Sequence, residues 1–382
     1  MKKVLIINTK YRILGGEDTN IIDEIELLKK NHKVYYLEYD NSERVNLIDI
    51  VSFFTGTNLK SNKILKNTIK EFQPDIVYIH NLWFRGNLGI LKILNNLNDI
   101  TIIHKIHNFR YFCTSFIFAK SHFKNNNICN YCGIYKKKYS VFNKYFEDSY
   151  LKSIFIILFG KKYKKLVIKS NFELLALNQF HKKKLIEFGA SQERVQVYYN
   201  PIPIAEVNQY DEKSETVVFA GRFNKSKGIE ELLEAWSSSN IKNYKLILIG
   251  DGDLKLMLQK IYESKSIIFV GEISNNDTKN YIKKSRAVVT CSKIYEGQPR
   301  ILSEASSFGI PSIYPSFGGL NEYFPENYEL VFEQNNYIDL RKKLSLISDD
   351  SFMKNISEKV YNYTNEILSS EEILNKFEEI IG

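Results

Sequence analysis

Residues 216–236 read TVVFAGRFNKSKGIEELLEAW. Thr216 to Ala220 is a short apolar run rich in β-branched residues, the pattern of a buried strand. Gly221 to Gly228 follows as a loop bounded by glycines, and Ile229 to Trp236 reads as a helix. Strand, loop and helix in series are the building unit of a parallel α/β sheet. Downstream the unit recurs, with strands at Lys245–Ile249 (ending in Gly250-Asp251-Gly252), Ile267–Val270, Ala287–Cys291 and Pro311–Tyr314. Helices are predicted near Leu254–Glu263, Thr278–Lys284 and Arg300–Phe308.

Upstream the same rhythm holds. Lys3–Asn8 is a strand, Gly15-Gly16 a loop, and Ile21–Lys30 a helix by the spacing of Ile21, Ile22, Ile25 and Leu28. Further strands are expected at His32–Leu37, Asp75–Ile79, Ile100–His104, Leu174–Leu177 and Val195–Tyr198. Asn200-Pro201-Ile202-Pro203 interrupts the pattern, because proline forces extended backbone on its predecessor. Two Rossmann-like α/β domains are therefore expected, 1–200 and 201–355, with an amphipathic helical segment 356–382 at the end. Ligands of open α/β sheets sit at the C-terminal ends of the strands. With two such domains the expected site is the cleft between them.

The chain's 382 residues, 44% hydrophobic and 25% charged, suit a folded two-domain protein and exclude disorder as its main state. The run MKKVLIINTK leads into polar residues rather than into a signal peptide, and no apolar run reaches membrane-spanning length. The expectation is a cytoplasmic protein. Four cysteines in so long a chain do not make a disulfide framework. The net charge of +9 is unevenly placed. Residues 1–200 carry 32 Lys and Arg against 17 Asp and Glu, whereas 201–382 carry 21 against 27. Between His104 and Lys165 stand 13 basic residues, interleaved with aromatics, against Glu147 and Asp148. Attraction to anionic lipid headgroups is one reading of this basic half, and solvated surface is the other. Nucleic acid is not expected. Lys144–Lys165 has an apolar centre flanked by lysines, which suits either a helix in a membrane interface or one packed on the sheet.

Three segments are suited to a substrate. In Gly221–Gly228, backbone amides and a helix N-terminus face an anion, and Arg222 and Lys227 add two cations, so a diphosphate is a natural occupant. In EGQPRILSE, residues 296–304, two carboxylates stand eight apart, Glu296 in a loop and Glu304 on the following helix. Carboxylates suit the paired hydroxyls of ribose or of a sugar, and because Pro299 lacks an amide, Gly297 and Gln298 supply the loop's donors. Gly15-Gly16 permits close backbone approach, but the following Glu17-Asp18-Thr19 rules out the dinucleotide fingerprint.

Taken in order, these motifs resemble the retaining glycosyltransferases of family 4, which have the GT-B architecture of two Rossmann-like domains facing a central cleft. Gly15-Gly16 is similar to that family's N-terminal glycine loop, and Gly221-Arg222 with Lys227-Gly228 to its diphosphate segment. Glu296 to Glu304 resembles its E-x7-E motif, Gly318–Glu322 a further glycine loop, and Asn200-Pro201 its crossover. The resemblance implies transfer of a sugar, with retained configuration, from a nucleotide diphosphate donor bound by the second domain to an acceptor bound by the first. It implies a glycan or lipid-linked acceptor in surface polysaccharide synthesis, work on the cytoplasmic face of the inner membrane, and a C-terminal helix packed back on the first domain. Arg222 and Lys227 would neutralise the leaving diphosphate, so no metal or other cofactor is required. Glu304 would hold the ribose, and Glu296 with the Gly297–Gln298 backbone the donor sugar. His107 is similar to the family's histidine that faces the donor sugar. The base would lie by Gly271-Glu272-Ile273, and the turn has no clear equivalent of the acidic residue by which some members read guanine. UDP-sugars are therefore expected over GDP-sugars. A nucleotide-sugar 2-epimerase of the same architecture and a non-catalytic nucleotide-sugar or lipid-binding protein are the alternatives. Cys113, Cys129 and Cys132 form C-x15-C-x2-C. A structural zinc site, a redox-sensitive pair and ordinary buried thiols are all compatible with that spacing.

Overall fold

The structure, a computed structural model, describes residues 1–10, 16–41, 47–108, 149–239, 241 and 243–382. The chain divides into two compact units, one of Met1–Pro201 with Ile373–Gly382, the other of Ile202–Glu372. The terminal segment expected over 356–382 is thus shared: 356–372 stays in the second unit and the last ten residues join the first.

The first unit holds a six-stranded parallel sheet in the order β2-β1-β3-β4-β5-β6. Its strands are β1 (Lys3–Lys10), β2 (Lys33–Asp40), β3 (Ile76–Ile79), β4 (Thr101–Ile106), β5 (Glu173–Ala176) and β6 (Val195–Val197). Central parallel strands are covered on both faces, so they read as continuous apolar runs rather than alternating ones. Val4, Leu5, Ile6 and Ile7 of β1 and the whole of β3 are buried accordingly. The helices are α1 (Gly16–Leu28), α2 (Leu47–Thr55), α3 (Leu59–Phe72), α4 (Leu88–Leu94), α5 (Tyr150–Lys169) and α6 (Gln179–Glu187). Phe377, near the chain's end, is fully buried against His32, Tyr78 and Tyr198.

The second unit repeats the plan with β7 (Thr216–Ala220), β8 (Lys245–Ile249), β9 (Ile267–Gly271), β10 (Ala287–Val289), β11 (Ser312–Ser316) and β12 (Val331–Glu333), in the order β12-β11-β10-β7-β8-β9. Its helices are α7 (Ile229–Ser237), α8 (Lys255–Tyr262), α9 (Asn275–Lys283), α10 (Arg300–Ser307), α11 (Tyr337–Ser345) and α12 (Asp350–Leu368), and α13 (Ser370–Ile381) leads out to the first unit. In this sheet the direction of winding reverses between β7 and β10; in the first it reverses between β1 and β3. At such a point the loops leaving adjacent strands diverge to opposite faces and open a crevice above the strands' C-terminal ends.

Candidate functional site

In the second unit the crevice is flanked by two loops, Gly221–Gly228 after β7 and Thr290–Pro299 after β10, since β7 and β10 are neighbours. The backbones lock together: the Lys293 amide donates to the Ser226 carbonyl at 2.8 Å. Gly228 adopts φ +64°, and a Cβ there would lie 2.1 Å from the Cys291 carbonyl oxygen, so only glycine fits. A third loop presses from the other side. A Cβ on Gly250 would meet the Gly221 carbonyl oxygen at 2.0 Å, and the Phe223 amide donates to the Asp251 carbonyl at 2.8 Å.

This packing sets the side chains. Lys227 Nζ lies 2.5 Å from Glu296 Oε1, and the Ser292 hydroxyl donates to the same oxygen at 2.6 Å. Both ion-pair partners keep some solvent access, 28% for Lys227 and 18% for Glu296, so a ligand can reach them. Lys293 pairs with Glu231 alongside. Arg222 is exposed at the start of the loop. One expectation is corrected here. The amides of Ser226 and Lys227 do not face outward for an anion, because Asn224 Oδ1 accepts from both, at 3.1 and 3.2 Å. Of the groups expected on this loop, the side-chain cations of Arg222 and Lys227 keep solvent access while these two amides are taken.

Glu304 lies on α10, buried, with Arg300 Nε donating to its Oε1 at 2.7 Å and the Lys279 ammonium forming an ion pair with the same oxygen at 3.7 Å. A charged pair one helical turn apart thus holds the second carboxylate in place. Between the carboxylates, the Tyr323 hydroxyl donates to the Gly297 carbonyl at 3.2 Å, and Gln298 is buried with its amide 3.4 Å from Ser303 Oγ. Gly271 ends β9 at φ +87°, its carbonyl accepting from the Gly250 amide at 2.8 Å, which ties the expected base turn to the same set of loops; Glu272 beside it is exposed. Cys291 is buried, and burial together with the Glu231 charge pushes its thiol pKa up, so it stays a neutral packing group.

In the first unit, the strand ends of β3 and β4 bring two histidines together. His107 Nε2 and His80 Nδ1 are 2.8 Å apart with the rings stacked at 5.1 Å. Burial, then the charge of the partner ring for His80 and of Lys105 for His107, depresses both pKa values well below the usual imidazole range. His107 is therefore a neutral hydrogen-bonding group at neutral pH. Asn108 Nδ2 donates to Glu17 Oε2 at 3.1 Å, which links this strand end to the first turn of α1, opened by the exposed Gly16. Gly15 lies outside the described residues, as do Cys113, Cys129 and Cys132. Among the described residues no cluster of His, Cys, Asp and Glu is arranged to hold a metal.

Several residues were not singled out from sequence. His80 ends the run IVYIH, whose position beside IIHKIH was the available signal. Lys105 is wholly buried in β4, its ammonium 3.0 Å from Glu24 Oε2 and 4.5 Å from the Tyr198 ring centroid. The Tyr78 hydroxyl donates to the other Glu24 oxygen at 2.6 Å. Burial lowers the Lys105 pKa while Glu24 opposes that shift. Ser292 had no sequence signal.

Two parallel six-stranded sheets with these strand orders and their flanking helices define the GT-B class of glycosyltransferase fold. Over nearly whole chains the structure is similar to HepE from Anabaena, solved with UDP and glucose (TM-score 0.68, 14% identity, 99% of each chain). It is also similar to sucrose-phosphate synthase from Thermosynechococcus elongatus (TM-score 0.72, 14% identity, 100% of this chain and 98% of that one). Residues 203–366 match the family model described as glycosyl transferases group 1. Among curated relatives, the amylovoran biosynthesis glycosyltransferase AmsD of Erwinia amylovora is 26% identical over 53% of this chain and 60% of its own. A Campylobacter jejuni α-1,4-N-acetyl-D-galactosaminyltransferase named for a diphosphoundecaprenol-linked acceptor is 30% identical over 43% of this chain and 48% of its own. The matched regions thus span about half to two thirds of the length of these relatives.

Proposed function

We propose that the chain is a retaining, metal-independent glycosyltransferase that moves a sugar from a nucleotide diphosphate sugar to a glycan or lipid-linked acceptor. UDP-sugars are the favoured donors, and the setting is surface polysaccharide synthesis on the cytoplasmic side of the membrane. The observation that carries this reading is the Lys227–Glu296–Ser292 constellation at the reversal of the second sheet, with Arg222 on the same loop. In transfer, the bond between the anomeric carbon and the β-phosphate oxygen breaks. The acceptor hydroxyl forms the new C–O bond and gives up its proton, in the end to solvent, and the nucleoside diphosphate departs with an added negative charge. Fixed cations aimed at that charge lower the barrier, work that other transferases assign to a metal ion. Phosphate oxygens beside Lys227 would compete with Glu296 for the ammonium. Glu296, released, would accept hydrogen bonds from donor-sugar hydroxyls while Ser292 and the Gly297–Gln298 loop keep it oriented. Glu304, fixed by Arg300 and Lys279, would take the ribose hydroxyls. The presence of UDP in HepE and the acceptor named for the Campylobacter enzyme support the donor and acceptor classes.

The test is thermal unfolding with UDP, GDP and ADP in the presence of a chelator. A ligand at a hundredfold excess over its Kd adds about 2.7 kcal/mol. One nucleoside diphosphate should raise the midpoint, and Lys227→Ala should abolish the rise while the free protein stays folded. Release of that diphosphate from its sugar should then need an acceptor, which separates transfer from epimerisation and from binding alone. No shift with any nucleotide would sink the donor site.

A further inference from the structure

One face of α5 changes character along its length. Leu151, Ile154, Leu158, Lys162, Lys165 and Lys169 follow one another at intervals of three and four residues, so they form a single stripe along a helix about 30 Å long. Leu151, Ile154 and Leu158 are 43–64% exposed. The three lysines that continue the stripe are exposed as well. The whole helix carries six lysines and no carboxylate.

The apolar half does not stand alone. α2 packs beside it, with Phe53 stacked on Phe159 at 5.0 Å and Phe54 edge-on to Phe155 at 3.8 Å. α2 in turn exposes Ile50, Val51 and Phe54, so two helices form one apolar ledge. The basic half borders a pocket of about 300 Å³ between α5, α4 and the end of α2. Lys92, Lys162, Lys165 and Lys169 ring it, Leu88 and Leu166 supply apolar wall, and no carboxylate is among the described lining residues. Lys162 Nζ donates to the Phe54 carbonyl at 3.4 Å, which joins ledge and pocket. Lys169 lies just before β5, at the edge of the sheet opposite the strand ends that carry His80 and His107. The lysine end of the stripe is therefore remote from those strand ends, whereas the apolar end, at the start of α5, lies on their side of the sheet, where Phe53 and Phe159 both pack on Trp83.

We infer that this surface docks the first unit on a membrane, with the pocket taking the phosphate of an anionic phospholipid headgroup and the ledge entering the interface. Four ammonium groups without a neutralising carboxylate match a phosphate, and apolar side chains beside them match the acyl boundary below it. Neither half alone specifies a lipid: a soluble anion has no use for the ledge, and a protein partner gives no reason for four uncompensated cations. Among the described residues no helix is long and apolar enough to cross a membrane. The inference stands apart from the transfer reading, since binding is measured without donor or acceptor.

The experiment is flotation of the whole protein with phosphatidylcholine vesicles, with and without phosphatidylglycerol. Binding should require phosphatidylglycerol and weaken between about 0.1 M and 1 M salt, as screening shortens the reach of the lysines. Removing three charges together (Lys162→Gln, Lys165→Gln and Lys169→Gln) should weaken binding about a hundredfold. Leu151→Ser, Ile154→Ser and Leu158→Ser together should also abolish flotation. All six positions are exposed, so the unfolding midpoint should stay within a few degrees. A control removing equal charge elsewhere (Lys245→Gln, Lys260→Gln and Lys265→Gln) should lose only a few-fold. Equal binding to both vesicle types, or equal loss in the control, would overturn the inference. So would binding of soluble glycerol phosphate as tight as that of the vesicles, which would mark a free-anion site.

Discussion

A buried histidine between two neutral partners is a pH sensor of stability whether or not it has any part in catalysis. His104 sits within β4 with Nδ1 3.1 Å from the Ile79 carbonyl, to which it donates, and Nε2 2.6 Å from the Tyr163 hydroxyl, from which it accepts. Both contacts suit the neutral ring. Burial pushes its pKa down to about 4, against the ordinary value of 6.5. The unfolded chain therefore binds the proton first as pH falls, and stability contributed by this site is complete above about 6.5 and lost between 6.5 and 4. A shift of this size amounts to about 3 kcal/mol over the full window, and about 2 kcal/mol by pH 5. His80 and His107 shift in the same direction and steepen the loss. Urea unfolding at pH 7 and pH 5 should show wild type losing stability, with His104→Gln less stable at pH 7 but flatter by about 2 kcal/mol. Identical slopes would mean that His104 does not hold its proton away in the native state. Lys105 makes the complementary case. With its ammonium gone, Glu24 is left charged and buried, which typically costs about 3–5 kcal/mol. Lys105→Met should lose that much in urea, and adding Glu24→Gln should recover a good part of it. No recovery in the double variant would show that Glu24 and Lys105 do not depend on each other.

The loop from Gly221 to Gly228 shows what an element adds to its residues. Asn224 Oδ1 closes the turn by taking the Ser226 and Lys227 amides, and that closure sets the path from which Lys227 reaches Glu296. Asn224→Ala should cost about 1 kcal/mol of stability, the usual value of a lost cap. It should also weaken nucleoside diphosphate binding by more than that stability loss accounts for; Asn224→Asp, which keeps the oxygen, should be milder in both. Unchanged nucleotide affinity in Asn224→Ala would mean that Lys227 is positioned without the turn. Local patterns of this kind were legible in the sequence: glycines, apolar runs and helix spacing marked the strand–loop–helix units and placed Glu296 in a loop and Glu304 on a helix. What depends on strand order was not. Ser292, His80 and the Glu24–Lys105 pair acquire meaning only when β10 lies beside β7, β3 beside β4 and α1 over the first sheet. Glu24 and Lys105 stand 81 residues apart, and no periodicity connects them. β12, Val331–Glu333, does not read as a strand, since the short apolar run it belongs to stands between Glu329 and Glu333 and is not set in a strand–loop–helix unit of its own. Of the amides expected to be open along Gly221–Gly228, those of Ser226 and Lys227 are not, because the Asn224 side chain competes for them, an effect invisible to a reading of strand and loop alone.

The whole molecule is organised by a chain that leaves the first unit at Pro201 and returns to it at Ile373. A terminal helix on a surface is often dispensable, but this one supplies core. Phe377 is fully buried between His32, Tyr78 and Tyr198, and Ile373, Ile380 and Ile381 are buried with it. Lys2 Nζ donates to the Ile381 carbonyl at 2.8 Å, closing the first unit with both of its termini. Tyr78 also holds Glu24, so the tail packs directly against the residue that fixes the buried charge network. Phe377→Ala should then cost about 3–5 kcal/mol, the range for deleting a large buried aromatic. Deletion of 373–382 should cost more, because it exposes Tyr78 and Tyr198 as well. The loss should be local. Hydrogen exchange on the truncated chain should accelerate in β1, β3, β4 and α1, while β7, β8 and β10 keep their protection, since the second unit has its own core in Val217, Val218, Leu246, Leu248 and Val288. A nucleotide-induced rise in the stability of the second unit should survive the truncation even where transfer is lost. Uniform acceleration across both sheets would mean that the second unit draws its stability from the first, and unchanged exchange in β1 and β3 would mean that Phe377 is not part of their core.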